Sequence, residues 1–206
     1  RWPVRSGLTT LGISLAVAVL VAANFFDDAL DKLLDVAFTQ AARQDAVLML
    51  SADAPETVVE EVRALPGVLM AEGQAGQAAI LRHGPKERRI GIEARAPGTD
   101  LARTVNSDGH PIALPAQGML LSSRLAQRLE AVPGDMIEAE FLTGRRETHQ
   151  ILVAGIVEQY FGLGAFMDTR ALAHLQRQSP RLNAVNVVLD SAQADAFDHA
   201  LKDTPA

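Results

Sequence analysis

The chain has 206 residues, of which 48% are hydrophobic and 21% charged, and its formal net charge is −6. This composition is typical of a folded protein, and the acidic balance disfavours a nucleic-acid-binding protein, which needs a basic surface. Because the chain contains no cysteine, disulfides, thiolate metal sites and thiol nucleophiles are excluded.

An uncharged segment occupies residues 7–26 and reads GLTTLGISLAVAVLVAANFF. As a helix it would span about 30 Å, the thickness of the hydrocarbon core of a bilayer. Two arginines precede it and three aspartates follow it. This asymmetry predicts a transmembrane helix in contact with membrane lipid, with a cytoplasmic flank at residues 1–6 and an extracytoplasmic C-terminal side. A cleaved signal peptide and a buried core helix are the alternatives.

An amphipathic pattern follows in residues 27–45, without a glycine or proline to interrupt it. Its apolar side chains recur with the period of a helix, at Leu30, Leu33, Leu34 and Phe38. We therefore expect a stalk helix that continues the membrane span into the aqueous space and packs through these four side chains. An ordinary helix of the following domain is the alternative.

The next stretch begins with a βαβ-like order of elements. A strand is predicted at 46–51, a helix at 55–65 with Pro55 at its first position, and one or two strands at 68–82. Residues 88–94 alternate apolar and polar side chains and predict a further strand.

A loop-rich stretch at residues 96–118 separates this unit from a β-rich part. The remaining predicted elements are a serine-capped helix at 122–130, strands at 136–141 and 147–158, a helix near 169–177, a strand at 184–189 and a helix near 192–202. This order predicts an α+β fold with two lobes. Residues 46–96 and 165–206 are assigned to a discontinuous βαβ-rich lobe, and residues 97–164 to an inserted β-rich lobe.

Motifs for catalysis or cofactor binding do not stand out from background. There is no P-loop, and Gly162 and Gly164 lack the third glycine of a dinucleotide-binding loop. The histidines are scattered without metal-ligand spacing. Ser122 and Ser123 lack the nucleophile elbow of hydrolases and are interpreted as helix-capping residues. We therefore predict no enzyme activity, no cofactor and no metal site.

An aromatic cluster surrounds two glycines near residue 163, and it comprises Tyr160, Phe161, Leu163 and Phe166. One interpretation is an apolar contact surface for a partner, another subunit or an acyl chain. The alternative is a buried turn that joins a strand to the returning lobe.

Several short motifs occur in a characteristic order along nearly the whole chain. They are the span itself, LPGV at 65–68, PGTDL at 97–101, the stretch from Pro115 to Ala126, PGD at 133–135 and VAGIVEQYFGLGAFMD at 153–168. In order and spacing they resemble the FtsX/MacB-type ABC transporter permeases.

The resemblance implies a first span followed by a two-lobed extracytoplasmic domain and then by three further spans, so that this chain would be a fragment of a permease. It also implies a plasma (inner) membrane location, a cytoplasmic ABC ATPase as partner, and a homodimer or heterodimer of permeases. The outer domain would couple ATPase-driven motion to the handling of a lipid, lipoprotein or peptide. A single-span anchored binding or sensor domain is the alternative, and a secreted enzyme is a third hypothesis.

Overall fold

The computed structural model describes residues 7–8, 10–22, 42–144, 146–159 and 163–203. Residues 7–8 and 10–22 are helical, and we call this segment α1. Among the described residues, no helix has the length and apolar character that crossing a membrane requires. The stalk residues Leu30, Leu33, Leu34 and Phe38 lie outside the described residues, so the span and the stalk stay predictions.

The rest of the described chain forms one mixed α/β sheet structure. Its elements are β1 (Ala46–Pro55), α2 (Val58–Arg63), β2 (Val68–His83), β3 (Lys86–Arg95), β4 (Met119–Ser122), α3 (Ser123–Leu129), β5 (Met136–Phe141), β6 (Thr148–Val157), β7 (Ala165–Asp168), α4 (Thr169–Leu175), β8 (Arg181–Leu189), a 3-10 turn (Ser191–Gln193) and α5 (Ala194–Asp203). The strand order is β1-β8-β2-β3-β7-β4-β6-β5, and an additional pairing of β2 with β5 closes the last six strands into a ring.

Strand β2 is the element that both parts of this sheet share. It has 16 residues, so at about 3.3 Å per residue it is roughly 50 Å long. Its residues 68–74 pair with β8, residues 74–83 pair with β3, and residues 79–82 pair with β5. The sequence predicts one or two strands at residues 68–82, and the structure has one.

The interior of the ring forms the larger hydrophobic core, which we call the ring core. Its buried side chains alternate along each strand as the apolar patterns of 88–94 and 136–141 predict, with Ile92 and Ile137 fully enclosed. Helices α3 and α4 contribute Leu125, Leu129 and Leu172 to the same cluster.

A smaller core lies where β1, β8 and β2 form a three-stranded sheet, and we call it the small core. Val62 of α2 and Phe197 of α5 pack there against Val185 and Val187 of β8. Strands β1 and β2 both run antiparallel to β8, so they are parallel to each other. The predicted βαβ order is therefore present as a split unit with β8 in its middle.

Pro55 is a correction to the predicted helix at 55–65. It is the last residue of β1 and pairs with Arg181, and α2 begins only at Val58, after Thr57. Among the described strands, β1 pairs with β8 alone, and an edge strand tolerates a residue that lacks an N–H group.

The two cores divide the residues differently from the predicted lobes. Strands β3 and β7, both predicted in the discontinuous lobe, pair with each other and contribute Ile92 and Met167 to the ring core. If the domain is divided according to its hydrophobic cores, residues 74–95 and 165–168 therefore belong with β4, β5 and β6. The organisation into two lobes itself stays a prediction.

Candidate functional site

The aromatic cluster expected around residue 163 separates into a buried and an exposed part. Phe166 is only 6% exposed and packs with Leu120 and Val157, whereas Leu163 is 43% exposed. Tyr160 and Phe161 lie outside the described residues. Phe166 therefore belongs to the interior, which corrects its assignment to a contact surface. The contact role of Leu163, Tyr160 and Phe161 stays a prediction.

The position of Phe166 depends on its close approach to the chain at Gly164. A Cβ atom at Gly164 would lie 2.4 Å from the Phe166 ring. The Gly164 backbone is held by Ser122, whose Oγ accepts from Gly164 N at 3.0 Å and whose N donates to Gly164 O at 2.9 Å. Ser122 Oγ also accepts from Leu125 N at the start of α3, which confirms the predicted capping role.

A second site lies where the chain enters the sheet from the N-terminal segment. Ala42 forms an isolated antiparallel bridge with Ala102, and Arg43 N donates to Leu101 O at 2.8 Å. The Arg43 guanidinium also pairs with the Asp100 carboxylate. Ala42 and Arg43 fall within the stretch predicted as the stalk helix (27–45), but they are not helical. They are attached instead to residues 99–104, which we call the junction loop.

The junction loop is fastened to β2 by the carboxylate of Glu72. Both carboxylate oxygens accept from Asp100 N at 2.9 Å, and Oε2 also accepts from Leu101 N at 2.9 Å. Hydrogen bonds from backbone N–H groups to an ionised carboxylate are stronger than those between neutral groups. Glu72 lies opposite Asn186 of β8, so this contact ties the loop to the sheet of the small core.

The same loop is fastened to β3 by Arg95, whose side chain is only 9% exposed. Its Nη1 donates to Ala102 O at 2.9 Å, and its guanidinium pairs with Glu93 and lies 5.8 Å from the centre of the Phe166 ring. A cation over an aromatic face is attracted by the ring quadrupole. This contact therefore links the loop to the wall of the ring.

Together these contacts attach residues 42–43 to the sheet through one loop. We use the word junction for Ala42, Arg43, Glu72, Arg95 and the junction loop. Its charged groups are engaged in ion pairs or in hydrogen bonds to the backbone, and no cluster of three or more His, Asp or Glu suited to a metal ion occurs among the described residues. The arrangement connects residues 42–43 to β2 and to β3 through the same loop.

Sequence reasoning missed Glu72 and Arg95. Because side chains alternate along a strand, Arg95 is expected on the outward face, beside the inward-facing Ala94. Both residues are nevertheless buried. The bonds of Glu72 go to backbone groups 28 and 29 residues away, which no local pattern encodes. The available signal was the PGTDL motif at 97–101, which contains Asp100 and Leu101.

A family model for the MacB-like periplasmic core domain matches residues 6–204. The chain belongs to this family. The match confirms the resemblance to MacB/FtsX-type ABC transporter permeases, and it extends from before α1 to the end of α5. No significant match is found among curated proteins.

Two solved structures are similar to this MacB-like chain. The extracellular domain of the ABC-type transporter YknZ from Gram-positive bacteria matches with a TM-score of 0.48 at 14% identity, over 73% of this chain and 86% of that one. The periplasmic region of MacB from Actinobacillus actinomycetemcomitans matches with a TM-score of 0.47 at 11% identity, over 76% of this chain and 81% of that one. The family assignment rests on the match over residues 6–204 alone.

In this MacB-like domain a further charged cluster secures the closure of the ring. Arg82 of β2 contacts Glu140 at 2.6 Å and Glu138 at 3.3 Å, both on β5, and Glu87 of β3 at 3.2 Å. Hydrogen bonding to Glu140, and then to Glu87, raises the pKa of Arg82 above its ordinary value. Glu138 and Glu140 therefore form ion pairs between β5 and β2, the two strands whose pairing closes the ring.

Proposed function

We propose that this chain is the first membrane span and extracytoplasmic domain of an ABC transporter permease subunit. In this proposal the span and the part of the stalk that precedes residue 42 carry ATPase-driven motion out of the membrane, and the junction delivers it to the outer domain. The family match supports the first part of the proposal. The attachment of residues 42–43 to one loop that contacts both β2 and β3 supports the second.

The single observation that carries the mechanism is the double attachment of the junction loop. Glu72 connects the loop to the sheet of the small core and Arg95 connects it to the ring. Because β2 runs through both cores, a displacement of Arg43 would move the two cores together instead of bending one against the other.

The partners in this proposal follow from the family and not from a surface of this chain. A cytoplasmic ABC ATPase would supply the motion, and a second permease copy, identical or homologous, would complete the transporter. The handled substrate would be a lipid, a lipoprotein or a peptide. No bond chemistry is assigned to the outer domain, whose described residues supply packing and hydrogen bonding.

The test breaks the junction and follows ATP-driven movement of the outer domain. Since the chain has no cysteine, Arg128→Cys on the exposed face of α3 allows one spin label in each copy of the complete transporter, assembled with its ATPase. We expect ATP to change the distance between labels in the otherwise native protein. Glu72→Ala should abolish most of that change while ATP hydrolysis continues.

The matched control is Glu61→Ala, which removes an exposed carboxylate from α2 of the same small core. It should leave the ATP-driven change in distance as it is in the native protein. An unaltered change in Glu72→Ala would refute the role of the junction, and the absence of any ATP-driven change in the native protein would refute the proposed function and favour an anchored binding or sensor domain.

A further inference from the structure

A cleft of about 500 Å³ opens in the wall of the ring, away from the junction. Residues 116–118 and residues 150–152 of β6 line one part of it, and α4 lines the other with Arg170 and His174. The cleft plays no part in the proposed transmission of motion, so the inference drawn from it goes beyond the proposed function.

One edge of β6 faces this cleft without a strand partner in the described part of the chain. Val153 N donates to Asp135 O at 2.9 Å and Phe141 N donates to Glu147 O at 3.1 Å. Along an antiparallel pair, alternate residues direct their N–H and C=O groups to the same partner strand. The odd-numbered residues of β6 therefore bond to β5, and the backbone groups of Gln150 and Leu152 point away from it.

The neighbouring strand β4 reaches the carbonyl of Leu152 but starts too late to cover the backbone groups of Gln150. β4 begins at Met119, which pairs with Val153. Immediately before it, Gly118 has a φ of +78°, and a Cβ there would lie 2.5 Å from Leu152 O. The chain can approach β6 and then turn away from it only because this residue is a glycine. The gap is thus built into the fold beside Gln150.

The side chains around the gap are apolar and basic. Leu152 is 41% and Met136 is 51% exposed at its margin. Arg170 and His174 are exposed and one helical turn apart on α4, and neither has an ion pair within the described residues. Among the described residues, none that lines the cleft is acidic, although the chain as a whole has a net charge of −6.

We propose that this cleft binds an extended polypeptide segment of a partner protein by strand addition to β6. The backbone of the segment would pair with Gln150, since an unpaired strand edge is a template for another chain. Alternate side chains of an extended segment face opposite ways, so apolar residues would contact Leu152 and Met136 while acidic residues reach Arg170 and His174. The recognised class is therefore an extended segment in which apolar and acidic residues alternate.

The test uses a blocked, fluorescein-labelled heptapeptide in which valine and glutamate alternate. Its binding to the full chain in detergent solution is followed by fluorescence anisotropy. Replacing the glutamates by lysines should weaken binding by about tenfold or more, because charge-assisted contacts become repulsive. A peptide with N-methylated backbone amides should also bind at least about tenfold more weakly, because it cannot donate to a strand edge.

A pair of matched variants tests the cleft from the side of the protein. Arg170→Glu reverses a charge at the second position of α4, and Arg124→Glu makes the same change at the second position of α3. We expect about tenfold weaker peptide binding for Arg170→Glu and less than about a twofold change for Arg124→Glu. Equal binding of the N-methylated peptide would overturn strand addition. Absent binding of the parent peptide, or equal effects of the two variants, would overturn the site.

Discussion

The ring core and the small core bury their apolar residues in different ways. In the ring, six strands close on themselves, and interior side chains such as Leu121 are enclosed from all sides. In the small core, α2 and α5 cover one face of a three-stranded sheet, while Met49 and Glu72 lie on strands whose alternate side chains face outward. From this comparison we expect the ring to supply most of the stability, while the junction attaches the N-terminal segment to both cores.

The largest loss of stability is expected from a cavity in the ring core. Leu121→Ala removes a side chain that is fully buried in β4. Substitutions of this kind lower the free energy of unfolding by about 2 to 5 kcal/mol, and we expect about 4 kcal/mol from urea denaturation. A loss below about 1 kcal/mol would show that the ring does not hold most of the stability.

The second-largest loss of stability is expected at Gly118, in the wall of the ring beside the cleft. Gly118→Ala places a Cβ 2.5 Å from Leu152 O at a φ of +78°. Strain and contact together should lower the free energy of unfolding by about 3 kcal/mol. Gly134→Ala is the control, because Gly134 has a φ of +100° with no atom within 4 Å of the added Cβ. It should lose only about 1 kcal/mol, and equal losses would rule out a close approach at Gly118.

A smaller loss of stability, confined to one part of the domain, is expected from a substitution in the small core. Val187→Ala removes two methyl groups from the buried centre of β8, which should lower the free energy of unfolding by about 2 kcal/mol. Hydrogen exchange should accelerate in β1 and α5 before it accelerates in β6, since parts of a domain can open separately. Uniform acceleration through the ring would show that the two cores unfold as one unit.

The smallest effect on stability is expected at the junction. Glu72→Ala removes a partly buried carboxylate that accepts from the N–H groups of Asp100 and Leu101, and these groups can bond to water instead. We expect a loss of about 1 kcal/mol in the free energy of unfolding. Hydrogen exchange at residues 100–102 should become faster at the same time. Unchanged exchange there would show that Glu72 does not hold the junction loop.

Local patterns predicted the elements better than their arrangement. The alternation in β3 and β5 and the serine cap at Ser122 follow from neighbouring residues, and the structure has both of them. The placement of β8 between β1 and β2 and the closure of the ring by β5 join residues far apart in the chain. No local periodicity specifies such pairs, so the sequence could not predict them.

In the candidate site, too, the contacts between residues far apart in the chain could not be predicted from local patterns. Glu72 and Arg95 act through backbone groups of a distant loop, and neither stands out in the pattern of its own strand. The aromatic residues near 163 stood out by composition, yet Phe166 proved to be an interior residue. A cluster of aromatic side chains predicts burial at least as well as it predicts contact with a partner.

The central claim is that the junction moves as a rigid link, and a reversible lock tests it directly. Ala42 and Ala102 face each other in an antiparallel bridge, where Cα atoms lie about 4.5 to 5.5 Å apart, within the reach of a disulfide. In the complete transporter, Ala42→Cys with Ala102→Cys can be oxidised before spin-label distances are measured with and without ATP, using labels attached by a thiol-independent route. A rigid link predicts the same ATP-driven change in distance before and after oxidation. Loss of that change on oxidation, with its return on reduction, would contradict the account and make the junction a hinge.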